Sequence, residues 1–300
     1  MAIQKEIWAD SIVEGLFADD TFAVRCVNHS GYVAGSKVHV PNAGSIPAIV
    51  VDSTNLAEQL NSRTDTDLAY DIHSFRALPI VVKNSETVEL SYDKRNSVLA
   101  GSKSALLNKV HSTLLEDWVG TNVQKVATTG AAEAAHIASA TGNRKKLVAA
   151  DVLSAKKILD GQDIPSDGRV AVLDAVMYNQ LLESLTDAQV ANFLAGADPI
   201  TGVVGRYMGF DFYMRSQVVK TTNAGAKKLW SASGAATDCA AGIFYHQDAV
   251  SRALGDVAVF DNQGDAKSYG DVISFEILAG GSIIRSDNNG VVVVYQGTTS

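Results

Sequence analysis

The stretch ELSYDKRNSVLAGSKSALLNKVHSTLLEDWVG, residues 89–120, carries a long helical pattern. Its apolar residues recur at intervals of three and four, the spacing of one face of an α-helix. These residues are Leu99, Leu106, Leu107, Val110, Leu114, Leu115 and Trp118. Ser91 is a suitable N-cap and Gly120 a natural stop. We therefore predict a helix from Tyr92 to Val119, about 42 Å long at 1.5 Å per residue.

Upstream of this helix, RTDTDLAYDI at residues 63–72 places carboxylates at Asp65, Asp67 and Asp71. Alternate side chains of a strand point the same way, so the three carboxylates would share one face. The nearby sequence offers no obvious partner for them. Four interpretations stay open: a calcium site, a general acid–base pair, a solvated face, and one half of an intermolecular salt-bridge surface. Calcium fits poorly, because Ala69 occupies the fifth position of the loop pattern and no glycine follows it.

The composition indicates a folded chain with one large domain or two smaller ones. Of its 300 residues, 46% are hydrophobic, 19% are charged and 5 are proline, unlike a disordered chain. The net charge of −8 argues against binding nucleic acid by neutralising phosphates. The short basic runs at 144–146, 156–157 and 227–228 are expected to be solvated. No signal sequence and no run of about 18 apolar residues is present, so we expect no membrane association.

The residue types that carry chemistry do not form a known catalytic or metal-binding pattern. The sequence has no G-x-S-x-G, no G-x-x-x-x-G-K-[ST] and no H-E-x-x-H. Cys26 and Cys239 lie outside any C-x-x-C pair, which indicates buried thiols in a reducing compartment. The six histidines lack metal-ligand spacing. We therefore assign no catalytic residue, no cofactor and no metal ligand, and expect no enzyme activity.

The remaining segments alternate strand and helix signals. SKVHVPNAGSIP at residues 36–47 is a short alternating strand followed by turn residues, and it predicts a projecting hairpin or loop. Residues 125–240 indicate a compact α/β unit. Within it, Asp151 is the expected cap of helix ADVLSAKKILDG, RVAVLD is a buried strand, AVMYNQLLESL is a helix, and Thr186 with Gln189 forms a capping box.

The last 60 residues favour strands. AAGIFYH and DVAVF are predicted strands, and QDAVSRAL between them is a predicted short helix. The segment VISFEILAGGSIIRSDNNGVVVVYQG contains two strands, and its Asn289–Gly290 pair favours a tight hairpin. We expect these strands to pair with one another or with the region before residue 125.

The order of several motifs resembles the major capsid proteins of tailed bacteriophages, which have the Hong Kong 97-type fold. The motifs are SRTDTDLAYDIHSF, TVELSYDKRNSVL, VAVLDAVMYNQLL, GVVGRYMGFDFYMRSQVV, AGIFYHQDAV and YGDVISFEILAGGSIIRSDNNGVVVVYQ. The resemblance covers most of the chain and implies an α+β fold in five parts. These are an N-terminal arm (1–35), an extended loop (36–62), a peripheral domain with the spine helix (63–124), an axial domain (125–240) and terminal strands that complete the core (241–300).

The resemblance also implies a structural role. Identical subunits would form hexamers and pentamers and close into a shell around double-stranded DNA, bound without sequence specificity. Scaffolding, portal and head-decoration proteins are the implied partners, the bacterial host cytoplasm the place of assembly, and the virion the final location. The opening carboxylates would then face a neighbouring copy, with Arg63, Arg76, Lys94 or Arg95 of that copy as partners.

Three other functions fit parts of the pattern. An encapsulin-like compartment shares the fold and would hold cargo enzyme instead of a genome. A cytosolic α/β enzyme built on residues 125–240 would be a small oligomer with a pocket of perturbed titratable groups. A tail-tube or other virion protein would form rings or tubes instead of closed shells.

Overall fold

The computed structural model describes residues 21–32, 37–42, 65–83 and 94–298. Most of the predicted N-terminal arm and extended loop therefore lies outside the described residues. The helices are α1 (Lys94–Asp117), α2 (Ala149–Gly161), α3 (Ala175–Ser184) and α4 (Asp187–Ala195). The strands are β1 (Val27–Asn28), β2 (Lys37–Asn42), β3 (Thr66–Asp71), β4 (His73–Arg76), β5 (Ile80–Lys83), β6 (Gln124–Ala127), β7 (Ala132–Ala134), β8 (Asn143–Lys145), β9 (Arg169–Asp174), β10 (Gly205–Tyr207), β11 (Phe210–Arg215), β12 (Val219–Thr221), β13 (Lys227–Lys228), β14 (Cys239–His246), β15 (Val250–Asp265), β16 (Gly270–Ile283) and β17 (Val291–Tyr295).

An eight-stranded sheet forms the larger half of the fold. Its order is β10-β11-β9-β14-β12-β13, and β17 joins β14 to β6. All six residues of β9 are buried, as the apolar text RVAVLD predicts for a strand covered on both faces. Val170 and Val172 pack into one apolar cluster, whereas Ala171 and Leu173 pack into another on the opposite face.

Helices α2, α3 and α4 cover the second of these faces. The predicted apolar stripe of α2 is confirmed, because Val152, Ala155 and Leu159 are fully buried. The predicted cap is wrong: the helix begins at Ala149, and Asp151 lies inside its first turn. Asp151 is the third helical residue, and its carboxylate accepts a hydrogen bond from the backbone N–H of the N-cap residue Val148 at 3.0 Å, the contact that the third residue makes in a capping box.

A five-stranded sheet forms the smaller half, in the order β1-β15-β16-β4, with β5 also paired to β16. The long helix predicted from the sequence is confirmed over α1. Its residues Leu106, Val110 and Leu114 pack on this sheet in one cluster with Phe275 and Ile277. The helix therefore lies along the sheet as a spine, held by its apolar face.

Two sequence predictions near the C-terminus are wrong. QDAVSRAL is not a helix: a 3-10 turn at Gln247–Ala249 leads directly into β15, where Val250 pairs with Ile283. Non-local strand pairing overrides the weak local helix preference. Asn289–Gly290 does not close a hairpin either, because β16 and β17 belong to different sheets. Gly290, with φ of +89°, turns the chain from one sheet to the other.

The terminal strands are divided between the two sheets. β16 pairs with β4, β5 and β15, while β17 pairs with β6 and β14. As expected, each of these two strands pairs with another terminal strand and with strands from the earlier part of the chain. The expected pairing is wrong for β14, which also lies beside β9 and β12, so the larger sheet takes strands from both sides of residue 240. The five-part domain division stays a prediction.

Two of the three basic runs are not solvated. In the run 227–228, Lys228 Nζ lies 2.7 Å from the buried Asp238 carboxylate. Arg144 is only 4% exposed, and its guanidinium donates to the carbonyls of Thr141, Asn143, Ala236 and Asp238. A buried cation needs such acceptors to replace water. The expectation of a solvated charge is therefore wrong for Arg144, which joins the turn before β8 to the loop before β14.

Candidate inter-subunit surface

The opening carboxylates lie on a two-stranded antiparallel hairpin formed by β2 and β3. The pairing runs from Lys37 opposite Asp71 to Asn42 opposite Thr66, at the base of the predicted extended loop. The predicted alternation is confirmed, since Asp67 and Asp71 are exposed while Tyr70 between them is buried. Aspartates along this strand therefore share the outer face.

The inner face of the hairpin is fixed to the five-stranded sheet. Val38 and Tyr70 form a small buried cluster with Ala253 of β15. The Tyr70 hydroxyl also lies 3.2 Å from His29 Nδ1, and burial raises the pKa of this hydroxyl. The hairpin thus has one anchored face and one face open to a partner.

Two basic side chains on β2 lie beside two of the carboxylates on β3. Lys37 Nζ lies 3.4 Å from Asp71 Oδ1, and His39 Nδ1 lies 2.5 Å from Asp67 Oδ2. These partners come from the other strand of the hairpin and not from residues close to the aspartates in the sequence. The alternation in SKVHVPN already places Lys37 and His39 on one face, but the cross-strand register was needed to bring them opposite β3.

We call the four side chains of Lys37, His39, Asp67 and Asp71 the charge ladder. The two aspartate side chains remain 55% and 64% exposed. Exposed ion pairs contribute about 0–1 kcal/mol to stability. The charge ladder therefore adds little to the fold itself, and its carboxylates are accessible to cations of another molecule.

Of the remaining candidate residues, two have described side chains. Asp65 is exposed directly before β3. Arg76 Nε lies 2.9 Å from Glu276 Oε1, across the pairing of β4 with β16. Two hydrogen bonds lower the pKa of the Glu276 carboxyl, a larger contribution from Ser74 and a smaller one from Arg76. The structure therefore brings Arg76 to Glu276 within its own sheet and not to the charge ladder of the same chain.

The other three candidates lie partly or wholly outside the described residues. Arg63 is not described, and Lys94 and Arg95 begin α1 with side chains that are not described. Their proposed contacts with a neighbouring copy stay predictions.

A groove of about 500 Å³ lies between α1 and the connection from β4 to β5. Its wall is mainly apolar, with Leu78 exposed by 86%, and Arg76 and Lys109 add positive charge at its lining. No sequence pattern predicts this groove, because its lining combines residues of α1 with residues 74–80, which are separate in the sequence. An exposed apolar surface of this kind is typical of a protein contact.

The described residues hold no group of three or more His, Cys, Asp and Glu side chains placed to share a metal ion. No helix among them combines the length and the apolar character that a bilayer crossing requires. Cys26 and Cys239 are free thiols. Burial raises the pKa of Cys26 to about 12 and raises that of Cys239 as well, so both thiols are protonated at neutral pH.

Comparisons with known proteins agree on one family. The sequence model of the family described as phage capsid protein matches residues 25–296, and curated proteins gave no match. The fold is similar to a structure from Mycobacterium phage Che8, with 20% identity, a TM-score of 0.59, and 91% of this chain and 90% of that chain covered. It is also similar to the capsid of cyanophage P-SCSP1u, with 17% identity, a TM-score of 0.62, and 92% and 87% covered.

The capsid of Ralstonia phage GP4 gives a TM-score of 0.64 at 12% identity, with 92% of this chain and 88% of that chain covered. At these identities the structural likenesses establish the fold, and the sequence match establishes the family. The chain belongs to the phage capsid protein family, and its α+β fold is the Hong Kong 97-type fold of tailed-phage major capsid proteins.

Proposed function

We propose that copies of this major capsid protein close into an icosahedral-type head shell, built from pentamers and hexamers, that encloses double-stranded DNA. The observation that carries the proposal is the family match over residues 25–296 on a chain with the capsid fold. The role is structural, without a catalytic step. Scaffolding, portal and head-decoration proteins are the partners that a head of this kind uses, with assembly in the host cytoplasm.

Elementary physics supports a shell subunit of this composition. Head-to-tail contacts between identical subunits close into rings when the rotation between neighbours closes. Each contact can be modest, because many of them stabilise the complete particle. A net charge of −8 suits a container for DNA, since an inner surface that neutralised many phosphates would hold the incoming strand.

We assign part of the neighbour contact to the charge ladder together with Asp65. The hairpin projects its acidic outer face away from the five-stranded sheet, and Arg63, Arg76, Lys94 or Arg95 of an adjacent copy would supply the cations. Charge-assisted hydrogen bonds of this kind orient two surfaces. Their contribution falls as salt is raised.

Sedimentation velocity and negative-stain microscopy of the purified chain test the shell. We expect closed hollow particles, from the chain alone or when it is co-expressed with its neighbouring head genes, and nuclease-protected DNA in particles from infected cells. A stable monomer or small oligomer under both expression conditions would refute the proposal. Protected protein cargo without DNA would instead indicate a compartment of the encapsulin type.

The contact assigned to the charge ladder has its own test. We expect Asp67→Asn combined with Asp71→Asn to slow assembly and to weaken its dependence on salt, because two carboxylates are removed from the interface. Glu183→Gln is the matched control, since Glu183 is also 64% exposed and also pairs with a lysine, Lys146, at 2.9 Å. Assembly rates measured by light scattering between 50 and 500 mM NaCl, a range over which screening of exposed charges increases strongly, distinguish the double variant from the control. If the double variant and the control behave alike, the ladder is a solvated face.

A further inference from the structure

Residues 21–32, which we call the strap, contact both sheets although they belong mainly to neither. The strap begins with a 3-10 turn at Thr21–Val24, continues through β1 and ends with a second turn at Ser30–Tyr32. Phe22 and Ala23 are 1% exposed. A segment so short and so buried at one end is part of the core of the subunit.

The first half of the strap is held by the eight-stranded sheet. Arg25 Nη2 lies 3.3 Å from Asp211 Oδ2, and Arg25 Nε donates to the Tyr213 hydroxyl at 3.3 Å. The Tyr245 hydroxyl donates to the carbonyl of Phe22 at 3.3 Å. These three partners lie on β11 and β14 of the larger sheet.

The second half of the strap is held by the five-stranded sheet. β1 pairs in parallel with Ser251 and Arg252 of β15. The backbone N–H of His29 donates to the Arg252 carbonyl at 2.8 Å. The backbone N–H of Leu254 donates to Ser30 Oγ at 3.1 Å. Backbone pairing of this kind fixes the register of the strap on the smaller sheet.

Near its start, the strap places Phe22 at the junction of the sheets. The Phe22 ring packs edge-on against Trp118 at 5.9 Å and against His111 at 5.8 Å, both near the end of the spine helix. The guanidinium of Arg215 lies 5.2 Å from the centre of the same ring. Trp118 itself donates to the Ser251 carbonyl at 2.8 Å. Phe22 thus packs where the helix, the larger sheet and the smaller sheet meet.

We infer that the strap sets the angle between the two sheets and, through it, the curvature of the shell. The inference rests on the proposed shell function. The hairpin with its charge ladder is anchored to the smaller sheet, so a rotation of that sheet turns this contact surface relative to the rest of the subunit. Because every copy repeats the same rotation, a small change in each subunit alters how tightly the closed particle curves.

Two arginine substitutions distinguish the role of the strap from a general effect of lost charge. Each removes one ion-pair partner of the Asp211 carboxylate. Arg25→Met removes the ion pair between the strap and Asp211. Arg206→Met removes the other ion pair of Asp211, at 2.8 Å, which lies wholly within the larger sheet between β10 and β11. In each variant Asp211 keeps one arginine, so neither change leaves this partly buried carboxylate alone.

Particle diameters measured by electron microscopy give the primary result. We expect Arg25→Met to raise the fraction of particles with a diameter other than that of the wild type by at least threefold, and Arg206→Met to leave the distribution unchanged. Equal distributions in the two variants would overturn the inference. A wild-type chain that never forms shells would instead count against the proposed function.

Thiol alkylation keeps the inference testable if Arg25→Met yields no particles. Cys26 lies within the strap, whereas Cys239 lies in the interior of the larger sheet and is 0% exposed. If the strap detaches from a folded subunit, alkylation of Cys26 should accelerate at least tenfold while that of Cys239 stays at the wild-type rate, as read by peptide mass spectrometry. Parallel acceleration at both thiols would mean general unfolding and would overturn the inference.

Discussion

Asp117, the last residue of the spine helix, illustrates how one side chain couples the fold to pH. Burial raises the pKa of its carboxyl to about 6, while the charges of Lys227 and His73 oppose the increase and that of Glu116 adds to it. Burial also lowers the pKa of Lys227, against the attraction of Asp117 and Glu116. Both groups lie where the helix meets β13 of the larger sheet.

The sign of the pH dependence follows from the raised pKa. The folded state binds the Asp117 proton more tightly than the unfolded state does, so this stabilisation is fully present below pH 4 and is lost as the pH rises through about 6. We expect Asp117→Asn to remove this slope. It should also raise the free energy of unfolding at pH 7.5 by about 1–3 kcal/mol. The loss of the attraction between Asp117 and Lys227 reduces this gain.

Urea unfolding of the unassembled subunit between pH 4.5 and 7.5 measures this effect. Glu183→Gln is the control, because that carboxylate is 64% exposed on a helix surface. A variant Asp117→Asn that keeps the wild-type slope, or that is less stable at pH 7.5, would contradict the assigned cause.

At the scale of elements, the spine helix depends on its buried face. Leu114 is 1% exposed and packs on the five-stranded sheet, whereas Lys109 is exposed on the same helix. We expect Leu114→Ala to lower the free energy of unfolding by about 2–5 kcal/mol through lost burial and a residual cavity. Lys109→Ala should change it by less than about 0.5 kcal/mol. Thermal or urea unfolding compares the two, and equal losses would show that the helix is not held by its apolar face.

A second element, the loop at residues 229–238, is fixed by Arg144. This guanidinium donates to the carbonyls of Ala236 and Asp238 at 2.8 and 3.0 Å. We expect Arg144→Met to leave these acceptors without a charged donor and to destabilise the chain by about 2–4 kcal/mol. Limited proteolysis should then cut within the loop. Lys145→Met, one residue along the chain, is the control. Equal protection in the two variants would argue against this role of Arg144.

The success of sequence prediction at this scale depends on how local each signal is. The spine helix, the stripe of α2 and the buried strand RVAVLD follow from periodicity alone, because each pattern is complete within its own segment. The predictions for QDAVSRAL and Asn289–Gly290 are wrong because the conformations of both segments are set by strands and sheets elsewhere in the chain. The pairing of Lys37 with Asp71 likewise depends on a register across 22 undescribed residues, 43–64. The strap falls within the predicted N-terminal arm, but the sequence does not indicate which surfaces it contacts, and the apolar groove has no local signature.

At the scale of the whole molecule, two sheets share one subunit and meet at a junction filled by Phe22 and Trp118. The chain passes between them after α1, after β14 and after β16, and the strap adds a connection made by hydrogen bonds and an ion pair. Packed units of one subunit can rotate against each other by hinge or shear motion without unfolding. Contact surfaces carried on different sheets then meet their neighbours at an angle that the junction controls.

Cryo-electron microscopy of the assembled particle tests this account most directly. The predicted map is a closed shell with fivefold and sixfold rings, in which the outer face of the hairpin lies against an adjacent subunit and the strap spans the two sheets. A map of open tubes or of a discrete small oligomer, or a closed shell in which the charge ladder faces solvent at every position, would contradict it.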